Sequence, residues 1–237
     1  MLLLAIDTTT NICSVALGER DKLWAEIILN TKKAHSQRLM PAVQNLLRDA
    51  DVDKRQIEGI AVALGPGSFT GIRIGMATVQ GLSHGLGIPV TGVMTLDALA
   101  EGCGNFPKLI CPILDARREQ VYTGLYRGGD RGPTRLEPPA ALPLDDLIAR
   151  IKNYDEDVIF SGDALETFRK KLRTALGDKY MEMPFSSRLN RASLVLQKGF
   201  KNWEKDGPTS VYALRPFYIR LPEAERRLLE KERRQGS

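Results

Sequence analysis

The sequence predicts an α/β protein made of two mixed-sheet halves, the second a degraded repeat of the first. Three observations predict it. Three strand-like runs precede any helical pattern, which marks an antiparallel meander; strands and helices then alternate, which marks crossover units. At Gly65-Pro66-Gly67 an apolar run, Ile60 to Leu64, gives way to a helical stripe of Phe69, Ile72, Met76 and Val79, so a buried strand feeds a helix through a tight turn.

Taken in order, Leu2 to Ile6 reads as a buried strand and Asp7-Thr8-Thr9-Thr10-Asn11 as a turn whose side chains hydrogen-bond their own backbone. Ile12 to Leu17 and Leu23 to Leu29 are further strands, with Gly18 to Lys22 as a polar hairpin. A helix over Ala34 to Ala50 puts Leu39, Val43, Leu46, Leu47 and Ala50 on its core stripe and His35, Arg38 and Ala42 near its other faces. Strand Ile57 to Leu64, helix Ser68 to Gly85, strand Ile88 to Val93 and a short helix Thr95 to Glu101 follow. The order β-β-β-α-β-α-β-α is that of the ribonuclease H-like fold. Beyond Asn105-Phe106-Pro107 come strands Leu109 to Leu114 and Gln120 to Tyr126, a Gly- and Pro-rich loop from Gly128 to Pro143, helix Leu144 to Ile151, strand Val158 to Phe160 and helix Ala164 to Leu176. An irregular stretch, Met183 to Asn190, leads to a helix over Ala192 to Trp203. This second half is short of a strand. Val211 to Tyr218 is extended, because Pro216 breaks any helix, and Glu223 to Arg234 reads as a helix of alternating charge. The expected division is residues 1–105, residues 106–210, and a terminal piece, 211–237.

A glycine turn entering a helix suggests a phosphate cradle, since helix N–H groups and the positive dipole end favour an anion. No Gly-Lys-Ser/Thr follows, and G-x-G-x-x-x-G is not the dinucleotide fingerprint, so a turn whose glycines serve packing stands beside that reading. Pro66 holds Gly65 out of the α region, and Ser68 or Thr70 is placed to cap the helix. Within that helix Gly71, Gly75 and Thr78 form one ridge of small side chains and Ala77, Gly81 and Gly85 another. Glycine in a helix costs roughly 1 kcal/mol against alanine, so each ridge implies a closely packed neighbour, in this chain or in another.

The chain has 237 residues, 43% of them hydrophobic and 27% charged, which suits one large or two small soluble globular domains. A net charge of +5 permits nucleic-acid contact without requiring it. Met1 to Ile6 is apolar but Asp7 ends the run too early for a signal peptide or a membrane span, so a cytoplasmic location with no membrane contact is expected. Cys13, Cys103 and Cys111 lack C-x-x-C spacing and read as reduced thiols. His35 and His84 are the whole histidine supply, too few for a His-based metal site, and none is expected.

Four stretches together resemble the TsaB (YeaZ) family: Ala5-Ile6-Asp7-Thr8-Thr9 with Ser14-Val15-Ala16-Leu17; His35 to Pro41; Gly65 to Gly75; and Pro216-Phe217-Tyr218-Ile219-Arg220. The resemblance spans nearly the whole chain, more weakly in the second half. It implies the actin and Hsp70-like ATPase superfold with two ribonuclease H-like domains. It further implies a non-catalytic subunit that binds and activates a TsaD-type transferase in threonylcarbamoylation of N6 of adenosine 37, in tRNAs reading codons that begin with A. A TsaE-type ATPase is the implied partner in the larger complex, the free chain is a homodimer, and tRNA contact is indirect or auxiliary.

TsaD-like proteins carry two metal-binding histidines four residues apart after the matching strand; here Thr95 and Leu99 occupy those positions, and neither suits a transition metal. Asp7, Thr8, Thr9 and Thr10 stand where the superfold binds ATP phosphates and magnesium, and are expected to form a vestigial phosphate loop. The matching second-half turn, Asp115-Ala116-Arg117-Arg118, has arginines where a compact glycine turn is expected. No cofactor of the chain's own follows, although a nucleotide shared at the partner interface remains open. The turn motif is Gly65, Pro66, Gly67 and Ser68, and the expected partner contacts are His35, Leu39, Phe69, Arg73, Met76, Ala77 and Gln80 on the first two helices, which suit an isologous four-helix contact or its pseudo-symmetric heterodimer. The competing reading is a stand-alone enzyme, either an ATPase of the superfold or a peptidase using His35-Ser36 with Asp7, for which no nucleophile elbow is present.

Overall fold

The computed structural model describes residues 1–104 and 106–220. Strands β1 (Leu3–Asp7), β2 (Cys13–Glu19) and β3 (Lys22–Leu29) form the meander, followed by α1 (His35–Asp49), β4 (Gly59–Gly65), α2 (Phe69–Leu86), β5 (Val90–Met94) and α3 (Thr95–Glu101). The second half runs β6 (Leu109–Asp115), β7 (Gln120–Arg127), β8 (Thr134–Pro143), α4 (Leu144–Lys152), β9 (Val158–Ser161), α5 (Leu165–Leu176), β10 (Tyr180–Glu182) and α6 (Ala192–Asp206).

The two sheets share one plan. The first has the order β3-β2-β1-β4-β5, and the second, read from its long edge, β8-β7-β6-β9-β10. In each, the first strand pairs antiparallel with the second and parallel with the fourth. The second half is therefore not a strand short. Its third strand lies inside the stretch expected to be a loop, because Pro138 and Pro139 conceal it. They sit on an edge strand where the register with β7 shifts, the one setting in which missing N–H donors cost no ladder bonds. The last two strands are only four and three residues long, and that is where the repeat is weakest.

Each half lends its last helix to the other. On one face of the first sheet α1 and α2 bury Leu4, Ile6, Val62, Ile72 and Val79. The opposite face is lined by Ala5, Ala16, Ala61 and Ala63, and α6, from the second half, lies close across it with Val195, Leu196 and Phe200. Gly199 of α6 faces Ala61 so closely that an added Cβ would come within 2.7 Å of the alanine methyl. In return α3 presents Leu96, Leu99 and Ala100 to Ile110, Leu114 and Tyr126 of the second sheet. The helix expected to close the second half thus packs on the first sheet. Thr95 and Leu99, the positions compared with metal-binding histidines, are fully buried in α3.

After α6 the chain becomes a strap. Thr209 bridges to Val90 at the edge of the first sheet, Val211 and Leu214 enter the first core, and Phe217 N–H bonds to Leu64 O at 2.8 Å. The Tyr218 ring packs 4.7 Å from that of Phe69, and Arg220 reaches the second half, donating to Ala116 O at 2.8 Å. The expected helix Glu223 to Arg234 lies outside the described residues.

Candidate functional site

The turn between β1 and β2 is buried except at Asn11, and the side chains of Asp7, Thr8 and Thr9 are hydrogen-bonded within the chain. Thr9 donates both its backbone N–H (2.8 Å) and its hydroxyl (2.6 Å) to Asp7 Oδ1, and the Ile12 N–H bonds to Thr10 Oγ1 at 3.2 Å. Asn190 Nδ2 lies 3.3 Å from Asp7 Oδ2. Burial raises the pKa of the Asp7 carboxyl, and the Thr9 and Asn190 hydrogen bonds oppose that rise.

The start of α2 is fitted against the same turn. Ser68 N–H donates to Thr9 O at 2.6 Å, Thr8 Oγ1 donates to Gly71 O at 2.8 Å, and Ser68 Oγ caps the helix by accepting from Gly71 N–H at 3.2 Å. Glycine is required here by close approach. A Cβ on Gly67 would lie 2.9 Å from the Thr9 carbonyl carbon, one on Gly71 would overlap the Thr8 carbonyl oxygen, and one on Gly75 would lie 2.5 Å from Thr8 Oγ1. Gly65 also needs its freedom, with φ of +111° where the strand turns out of the sheet.

His35 opens α1 and contacts Thr10 O through Nε2 at 2.8 Å, while its Nδ1 faces an Arg38 nitrogen at 3.4 Å. Burial lowers its pKa, and the network assigns the neutral ring with the proton on Nε2. Arg38 ties the same turn to the end of β3 by donating to Asn11 O (2.7 Å), Leu29 O (2.9 Å) and Thr31 O (3.1 Å). Both ring nitrogens of His35 are committed to structural contacts, so the trio of His35, Ser36 and Asp7 is not wired for proton transfer.

Between the halves lies a cleft of about 670 Å³ bordered by Thr10, Ser68, Thr70, Arg117, Tyr122 and Asp163, among others. Arg117, Arg118 and Glu119 all take positive φ, of 65°, 55° and 57°, so the turn keeps a glycine-like backbone in bulkier residues. Burial, with Asp115 nearby, pushes Asp163 up to about 6. Sequence reasoning passed over Asp163 because a lone Gly-Asp after a strand is an ordinary turn signal.

The outer face of the α1 and α2 pair is different in kind. Arg73, Ala77, Gln80, Gly81, His84 and Gly85 are exposed along α2, and Met40, Pro41 and Gln44 along α1; Arg73, packed 3.9 Å over the Phe69 ring, is the one full charge in that set. Of the expected contact residues, Leu39 (1% exposed) and Met76 (7%) belong to the first core and offer no surface, because the stripe that carries them faces the sheet. Met40, at 38%, is the exposed apolar residue that the sequence reading missed. Ala77 and Gln80 are exposed, Phe69 is half-buried beneath Arg73, and His35 belongs to the turn. The two glycine ridges separate cleanly: Gly71 and Gly75 meet Thr8, whereas Cβ atoms on Gly81 and Gly85 would meet none of the described residues within 4 Å.

Paired sheets of this order, each half capped by the other's last helix, with the glycine turn stapled to the β1–β2 turn, define a two-domain protein of the actin and Hsp70-like architecture. The chain belongs to the TsaB (YeaZ) branch of the threonylcarbamoyltransferase family. A family model described as "TsaD: tRNA N6-adenosine threonylcarbamoyltransferase" matches residues 22–227. The tRNA threonylcarbamoyladenosine biosynthesis protein TsaB of Bacillus subtilis is 37% identical over 233 residues, which covers 98% of this chain and 100% of that one. The Escherichia coli protein of the same name is 39% identical over 150 residues, 62% of this chain and 64% of its own. A crystal structure from Pseudomonas aeruginosa, described as an uncharacterized protein with similarity to peptidase YeaZ, superposes with a TM-score of 0.77 at 28% identity, covering 92% of this chain and 99% of that one.

Proposed function

We propose that this chain is a non-catalytic subunit that binds and activates a TsaD-type transferase in threonylcarbamoylation of adenosine 37 of tRNA. One observation carries the structural side of the reading. Glycine inside a helix costs roughly 1 kcal/mol against alanine, and Gly81 and Gly85 recover none of it among the described residues, none of which comes within 4 Å of a Cβ placed there. They lie on an exposed, charge-poor pair of helices, a surface suited to a second helix pair that packs at close range. The partner surface on this reading is Met40 and Pro41 of α1 with Arg73, Ala77, Gln80 and Gly81 of α2. The same surface serves a homodimer of the free chain, and a nucleotide is held, if anywhere, between partners. A TsaE-type ATPase joins the larger complex, tRNA contact is auxiliary, and the protein works in the cytoplasm. No helix among the described residues is long and apolar enough to cross a membrane.

The test is light scattering after size exclusion on the chain mixed with its TsaD-type partner, comparing wild type with Ala77→Arg. A 1:1 complex, weakened at least about tenfold by an arginine at the centre of the contact, is the expected result. Absence of a complex with the wild-type chain under all nucleotide conditions refutes the reading. The enzyme alternative predicts instead that the purified chain hydrolyses ATP or peptides and loses that activity in Asp7→Ala.

A further inference from the structure

The partner surface just described contains no aromatic residue, yet a large one stands at its end. Tyr212, on the strap, is 68% exposed. Its neighbours Val211 and Leu214 are buried in the first core, so the backbone that carries it is fixed. Tyr212 N–H donates to Ser210 Oγ at 3.4 Å and Tyr212 O accepts from Arg215 at 2.6 Å. Its hydroxyl lies 3.3 Å from His84 Nδ1, in the last turn of α2. An exposed aromatic ring is ordinarily free to rotate; this one is held by its backbone and by its hydroxyl while most of the residue stays open to solvent.

The place of that ring follows from helix geometry. His84 is one turn beyond Gln80 and Gly81, so it shares their exposed face. Through His84 the ring of Tyr212 adjoins the far end of the ridge on which Gly81 and Gly85 lie open. A helix laid along that ridge meets small side chains in the middle and an exposed ring at the end. Tyrosine is enriched among the residues that carry binding energy, and a ring whose backbone is already fixed costs less to order on binding.

We propose that the partner surface of α2 continues onto the strap and that the Tyr212 ring anchors its far end, packing against an apolar side chain of the helix that the partner lays along α2. This rests on the functional reading above and adds to it an element far from α2 in sequence.

The test measures the dissociation constant for the TsaD-type partner by calorimetry, with wild type, Ala77→Arg, Tyr212→Ala and Tyr212→Phe, and records the thermal midpoint of each. Tyr212→Ala is expected to weaken binding about tenfold or more, Tyr212→Phe by less than about threefold because it keeps the ring, and both are expected to melt as wild type does. If Ala77→Arg disrupts the complex while Tyr212→Ala binds as wild type does, the inference fails and the functional reading stands. If Tyr212→Phe is as weak as Tyr212→Ala, the hydroxyl and not the ring is the anchor, and the proposal is wrong as stated. If the wild-type chain binds no partner, both fall together.

Discussion

Replacing Gly71 with alanine tests the fit between α2 and the threonine turn. On an open helix surface this change stabilises by up to about 1 kcal/mol. At Gly71 the new methyl overlaps the Thr8 carbonyl oxygen, a backbone atom that cannot rotate away, and lies 3.3 Å from Ser68 Cβ. Relief requires α2 to lift from the turn. Lifting stretches the bonds from Thr8 Oγ1 to Gly71 O (2.8 Å) and from Ser68 N–H to Thr9 O (2.6 Å). Each is worth about 1 kcal/mol, and overpacking adds about 1–3 kcal/mol. Set against the propensity gain, the net destabilisation is about 2–4 kcal/mol, and at about 2–4 °C per kcal/mol for a chain of this length it lowers the melting midpoint by about 5–15 °C. Gly81→Ala is the internal control. Its methyl meets none of the described residues of its own chain, so at concentrations too low for self-association the protein should gain about 1 kcal/mol and melt about 2–4 °C higher. Circular dichroism melts of the two variants beside wild type decide the matter. Equal midpoints for Gly71→Ala and Gly81→Ala would refute the close-approach argument.

Two further outcomes follow from buried charge. Asp163, pushed up to about 6, keeps a proton that the unfolded chain has released, so its contribution to stability falls as pH rises from about 4 to about 6. Asp163→Asn keeps an acceptor for the Asp115 N–H, and should be more stable than wild type at neutral pH by about 1–3 kcal/mol, at about 1.4 kcal/mol per unit, with the gap closing near pH 4. Urea titrations at both pH values check this, and parallel behaviour of the two proteins contradicts it. Glu101, buried in α3, accepts from Lys201 at 2.6 Å and Lys198 at 3.4 Å of α6, joining the two exchanged helices. Glu101→Ala leaves two cations unpaired beside a core and should cost about 1–3 kcal/mol in the same assay, less than a fully buried pair because both lysines keep water. An unchanged midpoint removes Glu101 as the link between the halves.

The first half was legible because its signals are local. Apolar runs, the polar hairpin at Gly18 to Lys22 and the stripe of α2 each declare an element from their own residues. What escaped depends on distance in sequence. Strand β8 was hidden by Pro138 and Pro139, whose cost vanishes only on an edge whose partner is unknown in advance. The exchange of α3 and α6 was written in the alanines at 5, 16, 61 and 63, yet small residues on one sheet face say only that something comes close. Leu39 and Met76 fit a partner surface by composition; their burial is decided by which way α1 and α2 are turned on the sheet. For the same reason the two glycine ridges of α2 looked alike in the sequence, and only packing shows that one is filled by Thr8 and the other left open.

That asymmetry ties the β1–β2 turn to the outer face of α2. For a phosphate to use the β1–β2 turn it must find free donors, but Thr9 N–H and its hydroxyl are spent on Asp7, and the Thr8 hydroxyl on Gly71 O. Freeing them costs about 1 kcal/mol for each bond broken and removes from the buried Asp7 carboxyl the hydrogen bonds that oppose the rise of its pKa by burial. Of these donors, the Thr8 hydroxyl, with the Ser68 N–H that donates to Thr9 O, holds α2 against the turn, where Gly67, Gly71 and Gly75 allow the close approach. With its inner ridge fitted against Thr8, the helix turns its other ridge, Ala77, Gly81 and Gly85, outward. The bonds that occupy donors of the turn and the face that α2 leaves open therefore follow from one placement of the helix.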